Sequence, residues 1–502
     1  MEISSTETFL TLVLGSLEDL LIPALASHHA KATAEIMKAV LLDLIKRERS
    51  TPQLLTGHLT QGRIIAANMV ALAYQLNGGP PAIDAMQQAQ ASSAACGFNS
   101  LAAECRDLTA HIAALADRLS RLRDKVANSA QRESISALLH KAAEWEYAYY
   151  SAQRDAKSAP QPLPARQKGA PLSRDTLQAF LQRHHPAGAH CSVTSFESIP
   201  GGFGKQTFRV TATTKDGASE MLIVRKSDST PMVLHGGFFI DQEFHLLRDI
   251  AATDLPVAKP LYLGVDVPGV DADFYVMSAL PGTVAGSFLG AASAVIPESV
   301  ILHMAELLAR VHNLNLSQFA AFFSRFGHVG AQSQTIESCY RRHIADWRDY
   351  FVRGDHLPSP FVIYMLDWLE QHVPPNHNPP VLVHGDFNIH NVLTENGRVT
   401  GILDWECSMF GAPEQDLAYI KPIISQHISW ERFLGHYRIS GGPNIEESTM
   451  NFYMAFSSMR LNIVFNKGVH NLQQGVTRDI RYALVELGLT PEFMKLALAN
   501  TA

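Results

Sequence analysis

The stretch from Val381 to Glu406, VLVHGDFNIHNVLTENGRVTGILDWE, constrains the fold of this 502-residue chain more than any other. Two short β-branched runs, Val392-Leu393-Thr394 and Val399 to Leu403, flank Asn396-Gly397. That dipeptide suits a two-residue hairpin turn, because both central residues of the favoured turn take positive φ. A polar loop, His384 to Asn391, precedes the first run. The hairpin must therefore return Asp404 to the neighbourhood of that loop.

Upstream the texture is different. From Thr8 to about Ala152 the apolar residues recur at helical spacing: Phe9, Val13, Leu17 and Leu20 form one stripe, and Ile36, Val40, Leu41, Leu44 and Ile45 another. A third stretch, Ile64 to Leu76, runs into Asn77-Gly78-Gly79-Pro80-Pro81, a helix stop. Further helices are predicted over Ser100 to Asn128 and Glu133 to Ala152. The segment between Ser151 and Leu172 is rich in Pro, Ala and charge without an apolar period, and reads as a linker. After Ser173 short strands appear, Gln206 to Thr213 and Met221 to Val224, separated by the turn Lys215-Asp216-Gly217. A chain of this length should hold two or three folding units. The expectation is an all-helical domain over 1–152, a linker over 153–172, and an α+β domain beyond it.

Composition narrows the function classes. Hydrophobic residues make up 46% and charged residues 18%, which gives a core and no sign of global disorder. The net charge of −7 argues against a sequence-wide grip on nucleic acid or anionic lipid. Arg118, Arg121, Arg123 and Lys125 recur at helical spacing and read as a solvated helix face. The cysteines, Cys96, Cys105, Cys191, Cys339 and Cys407, are odd in number and lack paired metal-ligand spacing, so reduced structural thiols are expected. Glu2, Glu7 and Glu18-Asp19 speak against a signal peptide or membrane span. A cytoplasmic protein is the expectation, with no nucleic-acid or membrane partner.

The chemistry is concentrated in the segment first described. Asp386 and Asn391 stand five residues apart, the spacing that sets a base and a metal-binding amide around one phosphate. A carboxylate at Asp404 and an amide oxygen at Asn391 are hard ligands suited to Mg²⁺. A single Asp at a turn is usually a cap or surface group. The joint occurrence of H-G-D-x-x-x-x-N, a hairpin of the right length and D-W-E points to catalysis instead.

These motifs resemble the segment shared by aminoglycoside phosphotransferases and choline kinases, small-molecule kinases of the protein-kinase-like fold. The resemblance covers about Ser173 to Ala502. It departs from protein kinases proper at His384-Gly385-Asp386 and Asp404-Trp405-Glu406, which favours a small-molecule acceptor. It implies a bilobal fold, with a nucleotide-binding lobe over 173–282 and a helical lobe over 283–502. By the same resemblance Asp386 accepts the acceptor's proton, Asn391 and Asp404 hold Mg²⁺, and His384 supports the loop. Asp416 would hydrogen-bond the loop backbone, with a plain helix cap as its alternative.

On the nucleotide side, Gly201, Gly202, Gly204 and Lys205 form a Gly-rich stretch that could approach phosphates. Met221 to Lys226 reads as a strand ending in two cations. Arg225 aligns with the strand lysine of kinases, and Lys226 points to the opposite face unless the strand is bulged. Glu243 opens a helical pattern and resembles the glutamate that pairs with that cation. Phe274 to Gly282 resembles the interlobe hinge, with backbone near Ser278 and Leu280 contacting adenine. His312 reads as a packing or capping histidine.

The acceptor pocket is expected around Tyr340 to Trp347 and near Trp430, Tyr453 and Arg460. No excess of carboxylates lines Ser425 to Leu461, as a polycationic acceptor would require. GGFGKQTF and DWECSMFGAPEQDLAY are similar to the branch of kinase domains fused to acyl-CoA dehydrogenases. The reading is thus an ATP-dependent phosphotransferase with an alcohol group as acceptor, a hydroxyacyl-CoA or another hydroxylated metabolite. GTP is the alternative donor, an antibiotic-modifying phosphotransferase the alternative enzyme, and a catalytically silent nucleotide-binding scaffold the alternative class. The amphipathic N-terminal helices fit a homo-oligomer, a partner protein or a stabilising appendage.

Overall fold

A computed structural model describes residues 10, 13–15, 17–25, 28–48, 51–76, 98–123, 125–155, 170–199, 204–229, 231–233, 235, 238–286, 296–327, 334–474 and 485–501. Helices α1 (His28–Glu48), α2 (Thr51–Leu76), α3 (Phe98–Arg123), α4 (Ser129–Asp155) and α5 (Arg174–His184) come first. Strands β1 (Ser192–Ile199), β2 (Lys205–Thr213) and β3 (Ser219–Ser227) lead to α6 (Ile240–Ile250), then β4 (Pro260–Gly264), β5 (Phe274–Ser278) and β6 (Thr283–Val284). Helices α7 (Glu298–His312), α8 (Ile336–Arg353) and α9 (Pro360–Gln371) precede β7 (Val381–Val383), the hairpin β8 (Val392–Glu395) and β9 (Arg398–Ile402), and β10 (Met409–Gly411). Then follow α10 (Pro413–Ile424), α11 (Trp430–Ile439), α12 (Met450–Gln473) and α13 (Thr490–Ala499).

The fold is α+β and kinase-like: an antiparallel sheet lobe, a helical lobe, and an all-helical region ahead of both. The stop at Asn77 to Pro81 and residues 156–169 of the expected linker lie outside the described residues. Among the described residues no helix is long and apolar enough to cross a membrane. Cys105, Cys191, Cys339 and Cys407 are buried and form no disulfide among the described residues, and Cys96 lies outside them.

The chain forms two compact units. One comprises 166–343 and 373–457, the other 1–165, 344–372 and 458–502. In the first, the sheet runs β1-β2-β3-β5-β4, every pair antiparallel. Strand periodicity sorts its residues. Val210, Leu222, Val224 and Val276 join the apolar core that Leu177, Phe180 and Leu181 of α5 cover. Ser173 caps α5 by accepting the Thr176 N–H at 3.2 Å. Residues of the other parity, Lys205, Arg225 and Tyr275 among them, occupy the opposite face.

In the second unit α9 is held by side chains of α3 and α4. Ser120 donates to Asp367 Oδ1 at 2.7 Å, and Arg123 forms an ion pair with the same carboxylate. At the start of α9, Glu146 Oε2 accepts the Ser359 hydroxyl at 2.9 Å and the Phe361 N–H at 2.8 Å. An anion there suits the helix N-terminus, yet burial pushes the carboxyl up to about 7 from 4.5. Between those values the folded protein holds a proton that the unfolded chain has released, so this group's contribution to stability falls as pH rises. Relative to wild type, Glu146→Gln should gain about 3 kcal/mol between pH 4.5 and 7.5. Hydrogen exchange of the α9 amides at both pH values checks this, and a pH-independent difference would refute it. His58 and His356, which burial lowers to about 3 and about 4, act in the opposite sense and cancel in the comparison.

Candidate active site

The loop between β7 and β8 is shaped by its own residues and by Asp416. Asp416 accepts the backbone N–H groups of His384 at 2.8 Å and Gly385 at 2.7 Å, and lies 3.1 Å from His312 Nε2. His312 Nδ1 in turn lies 2.8 Å from the Tyr437 hydroxyl. Gly385 has φ +79°, and a Cβ there would collide with the carbonyl oxygen of Cys407, so the H-G-D step needs glycine. His384 Nε2 faces the Leu403 carbonyl at 2.9 Å, and Nδ1 faces the Asp386 N–H at 3.3 Å. A carbonyl can only accept, so Nε2 carries the proton and the imidazole is neutral. Burial lowers its pKa accordingly.

Asn391 Nδ2 donates to the Asp386 backbone carbonyl at 2.9 Å and to Asp386 Oδ2 at 2.7 Å. Asp386 Oδ1 is buried and, among the described residues, accepts no hydrogen bond, while Tyr419 stands near enough to help lower the carboxyl. Burial raises the Asp386 carboxyl, but His390, whose Nε2 lies 3.8 Å from Oδ2, helps to hold it below the usual carboxylate value. The turn at Asn396 and Gly397 has φ of 51° and 72°, the geometry the dipeptide promised. The hairpin closes with Leu403 N–H donating to Asn391 O at 2.8 Å. Asp404 follows at once, in a left-handed conformation with φ 63°, which Asp tolerates better than most residues.

Across from the loop stands a charged cluster. Arg225 Nε lies 3.1 Å from Glu243 Oε1, and its Nη2 lies 2.5 Å from Asp404 Oδ1 and 3.1 Å from Glu406 Oε2. Lys205 Nζ lies 3.0 Å from Glu243 Oε2 and forms an ion pair with Glu406. Tyr275, the cross-strand partner of Arg225, gives Glu243 a further hydrogen bond. Burial opposes the charges on Lys205 and Arg225, and the surrounding carboxylates outweigh it. Burial likewise raises Glu243, and Arg225 and Lys205 bring it below its usual value. Asp404 and Glu406 are pushed up by burial, against the pull of Arg225 and Lys205.

Asp386, His384, Asn391, Asp404, Lys205, Arg225 and Glu243 therefore come together. Lys226 does not. The β2–β3 register is unbroken, so Lys226 shares the face of Leu222 and Val224, fully buried, with Nζ 2.9 Å from Asp271 Oδ1. Gly201 and Gly202 lie outside the described residues; Gly204 has φ +76° and accepts the Asp228 N–H at 3.1 Å. At the end of β5, the Ser278 N–H donates to Lys259 O and its hydroxyl accepts the Lys259 N–H, both at 2.9 Å. Leu280 follows, half-buried. Tyr340 and Tyr453 are buried against each other, with ring centroids 5.0 Å apart, and Trp430 is buried too. These side chains are part of the packed core in the region where the acceptor pocket is expected. In the other unit, Trp347 is buried under the Arg460 guanidinium.

Sequence reasoning missed Glu406 and Tyr275. Strand pairing could have found Tyr275, because a residue directly opposite Arg225 shares its face. Glu406 sits in a single 3₁₀ turn, Trp405–Cys407, whose direction no periodicity reveals.

The profile of the phosphotransferase enzyme family (APH) matches residues 195–451, just over half of the chain. The rat (Rattus norvegicus) protein acyl-CoA dehydrogenase family member 11 is 27% identical over 279 residues, 55% of this chain and 33% of that protein. The chain thus spans about a third of that relative's length. Hygromycin-B 4-O-kinase of Escherichia coli is 29% identical over 224 residues, 42% of this chain and 61% of that enzyme. A solved structure of a thermostable mutant of aminoglycoside phosphotransferase APH(4)-Ia, in ternary complex with AMP-PNP and hygromycin B, is 18% identical. The match covers 65% of this chain and 98% of that one, with a TM-score of 0.42.

Proposed function

We propose that this chain, which belongs to the phosphotransferase enzyme family, moves the γ-phosphoryl group of ATP to a hydroxyl of a small metabolite, a hydroxyacyl-CoA being the favoured acceptor. The observation that carries this reading is the meeting of Asp386, Asn391 and Asp404 around one loop and hairpin, with Asp386 Oδ1 buried and, among the described residues, without a hydrogen-bond donor. That oxygen takes the proton of the acceptor hydroxyl as its oxygen attacks the γ-phosphorus and ADP departs. His384 and Asp416 hold the loop in shape. Arg225, Lys205 and the Gly-rich stretch through Gly201, Gly202 and Gly204 serve the phosphates, Glu243 orients the two cations, and the backbone near Ser278 and Leu280 serves the adenine. Lys226 is left to the fold. Residues 173–282 bind nucleotide and 283–502 supply catalysis and the acceptor site.

Asp404 and the Asn391 amide oxygen fit Mg²⁺. Both donors are hard, and the Asn391 amide nitrogen is committed to Asp386, leaving Oδ1 to face a cation. Among the described residues no three His, Cys, Asp or Glu gather to hold a metal. A small protein ligand set suits Mg²⁺, which keeps waters and takes substrate phosphates. Bound there, Mg²⁺ would offset the charge developing on the transferred group. Asp404→Ala should weaken Mg²⁺-dependent ATP binding by at least roughly tenfold, measured by calorimetry with and without Mg²⁺. Unchanged metal dependence would move the ligand elsewhere.

The hydroxyacyl-CoA acceptor rests on the likeness to acyl-CoA dehydrogenase family member 11 over 55% of this chain. The likeness to hygromycin-B 4-O-kinase supports the second reading, an antibiotic-modifying enzyme. An ADP-formation screen over hydroxyacyl-CoA compounds, simple alcohols and aminoglycosides separates the two. Silence with every acceptor despite tight Mg-ATP binding would favour a nucleotide-binding scaffold acting through the N-terminal helices.

A further inference from the structure

Lys205 from β2, Arg225 from β3, Glu243 from α6, and Asp404 and Glu406 beyond β9 set two cations against three carboxylates. Their arrangement is unequal. Lys205 contacts Glu243 and Glu406, whereas Arg225 reaches all three carboxylates through Glu243 at 3.1 Å, Asp404 at 2.5 Å and Glu406 at 3.1 Å. The two ends of its guanidinium do different work. Nε is tied to Glu243, which is 2% exposed, while Nη2 bridges Asp404 and Glu406, the carboxylates beside the catalytic loop.

We infer that Arg225 is an internal counter-ion that closes Asp404 to a divalent cation until nucleotide phosphates draw the guanidinium away. Metal then enters together with nucleotide and not before it. This order rests on the nucleotide and metal reading above and adds a rule to it. A divalent cation placed on Asp404 would lie within a few ångströms of Nη2, where like charges repel strongly in a buried site. Phosphate oxygens offer the planar guanidinium a bidentate partner as good as a carboxylate. When Arg225 turns to them, Lys205 still balances Glu243 and Glu406, so no buried carboxylate pair is left without a cation.

The test uses the full chain and Mn²⁺ as the probe, with free Mn²⁺ followed by electron paramagnetic resonance, with and without AMP-PNP. Wild type should bind Mn²⁺ alone weakly, and roughly tenfold or more tightly when AMP-PNP is present. Arg225→Gln should bind Mn²⁺ alone roughly tenfold more tightly than wild type, with most of the AMP-PNP effect gone. Adding Asp404→Asn to that variant should cancel the gain. Should circular dichroism show Arg225→Gln misfolded, Arg225→Lys keeps a cation but loses the bridging fork, and should show a smaller gain of the same sign. Nucleotide-free affinities equal within about twofold, or weaker in the folded variant, overturn the inference. No acceptor enters the titration, so failure to find a phosphoryl acceptor leaves the result standing. Robust turnover without a gain in Mn²⁺ affinity sinks this inference alone.

Discussion

Replacing Asp386 by asparagine should lower turnover by about 10³-fold while ATP affinity stays within a few-fold. The substitution keeps the side chain's shape and removes its basicity. Asn391 Nδ2 still donates to the backbone carbonyl of residue 386, and Asp416 still holds the N–H groups of His384 and Gly385. The loop should therefore keep its path. What disappears is the basicity of Oδ1, which among the described residues accepts no hydrogen bond and can receive the acceptor's proton. Steady-state kinetics should show kcat and kcat/KM falling together, because the proton moves only as the transition state forms. A variant with near-normal kcat would take Asp386 out of the base role. A variant that loses nucleotide affinity instead would mean that Asp386 serves the metal and phosphates.

Legibility in the sequence tracks the distance along the chain over which each contact is made. The H-G-D step, the Asn396-Gly397 turn and the return to Asp404 lie within 26 consecutive residues, and backbone rules alone bring them together. The separation of Arg225 from Lys226 needs nothing but strand alternation and an unbroken register, which the structure provides. The helices of the N-terminal region carry their own period. Their ends moved by a few residues, as α4 shows by starting at Ser129 and ending at Asp155.

Contacts between distant residues were invisible. Lys205 meets Glu406 across 201 positions, Ser359 meets Glu146 across 213, and Ser120 meets Asp367 across 247. No local pattern encodes such partners. Lys205 illustrates the loss. Its place after the glycine-rich residues marks it as a phosphate-facing cation but says nothing of its partners, and in the structure it begins β2, is 5% exposed and is held by two carboxylates. The aromatic residues near Tyr340 are ambiguous for a different reason. Amphipathic rings serve a ligand wall and a packed core equally well, and only burial distinguishes the two.

The two neighbouring cations of β3 should respond to substitution in opposite currencies, and Lys226 gives the larger effect on stability. Its Nζ contacts Asp271 Oδ1 at 2.9 Å, the Ser227 carbonyl at 3.0 Å and Gln206 Oε1 at 3.5 Å, with no exposure to solvent. Lys226→Met preserves the length and apolar character of the stem but leaves the Asp271 carboxylate buried without its cation. Breaking one side of such a pair costs about 3–5 kcal/mol, read as a lowered urea midpoint. Because Lys226 lies on the α5 face of the sheet, the AMP-PNP affinity of the folded variant should stay within a few-fold of wild type. The double variant Lys226→Met/Asp271→Leu removes the stranded charge and should recover much of the loss. If Lys226→Met instead weakened AMP-PNP binding at unchanged stability, Lys226 would be the phosphate cation, and the assignment of Arg225 to that role would fall with it.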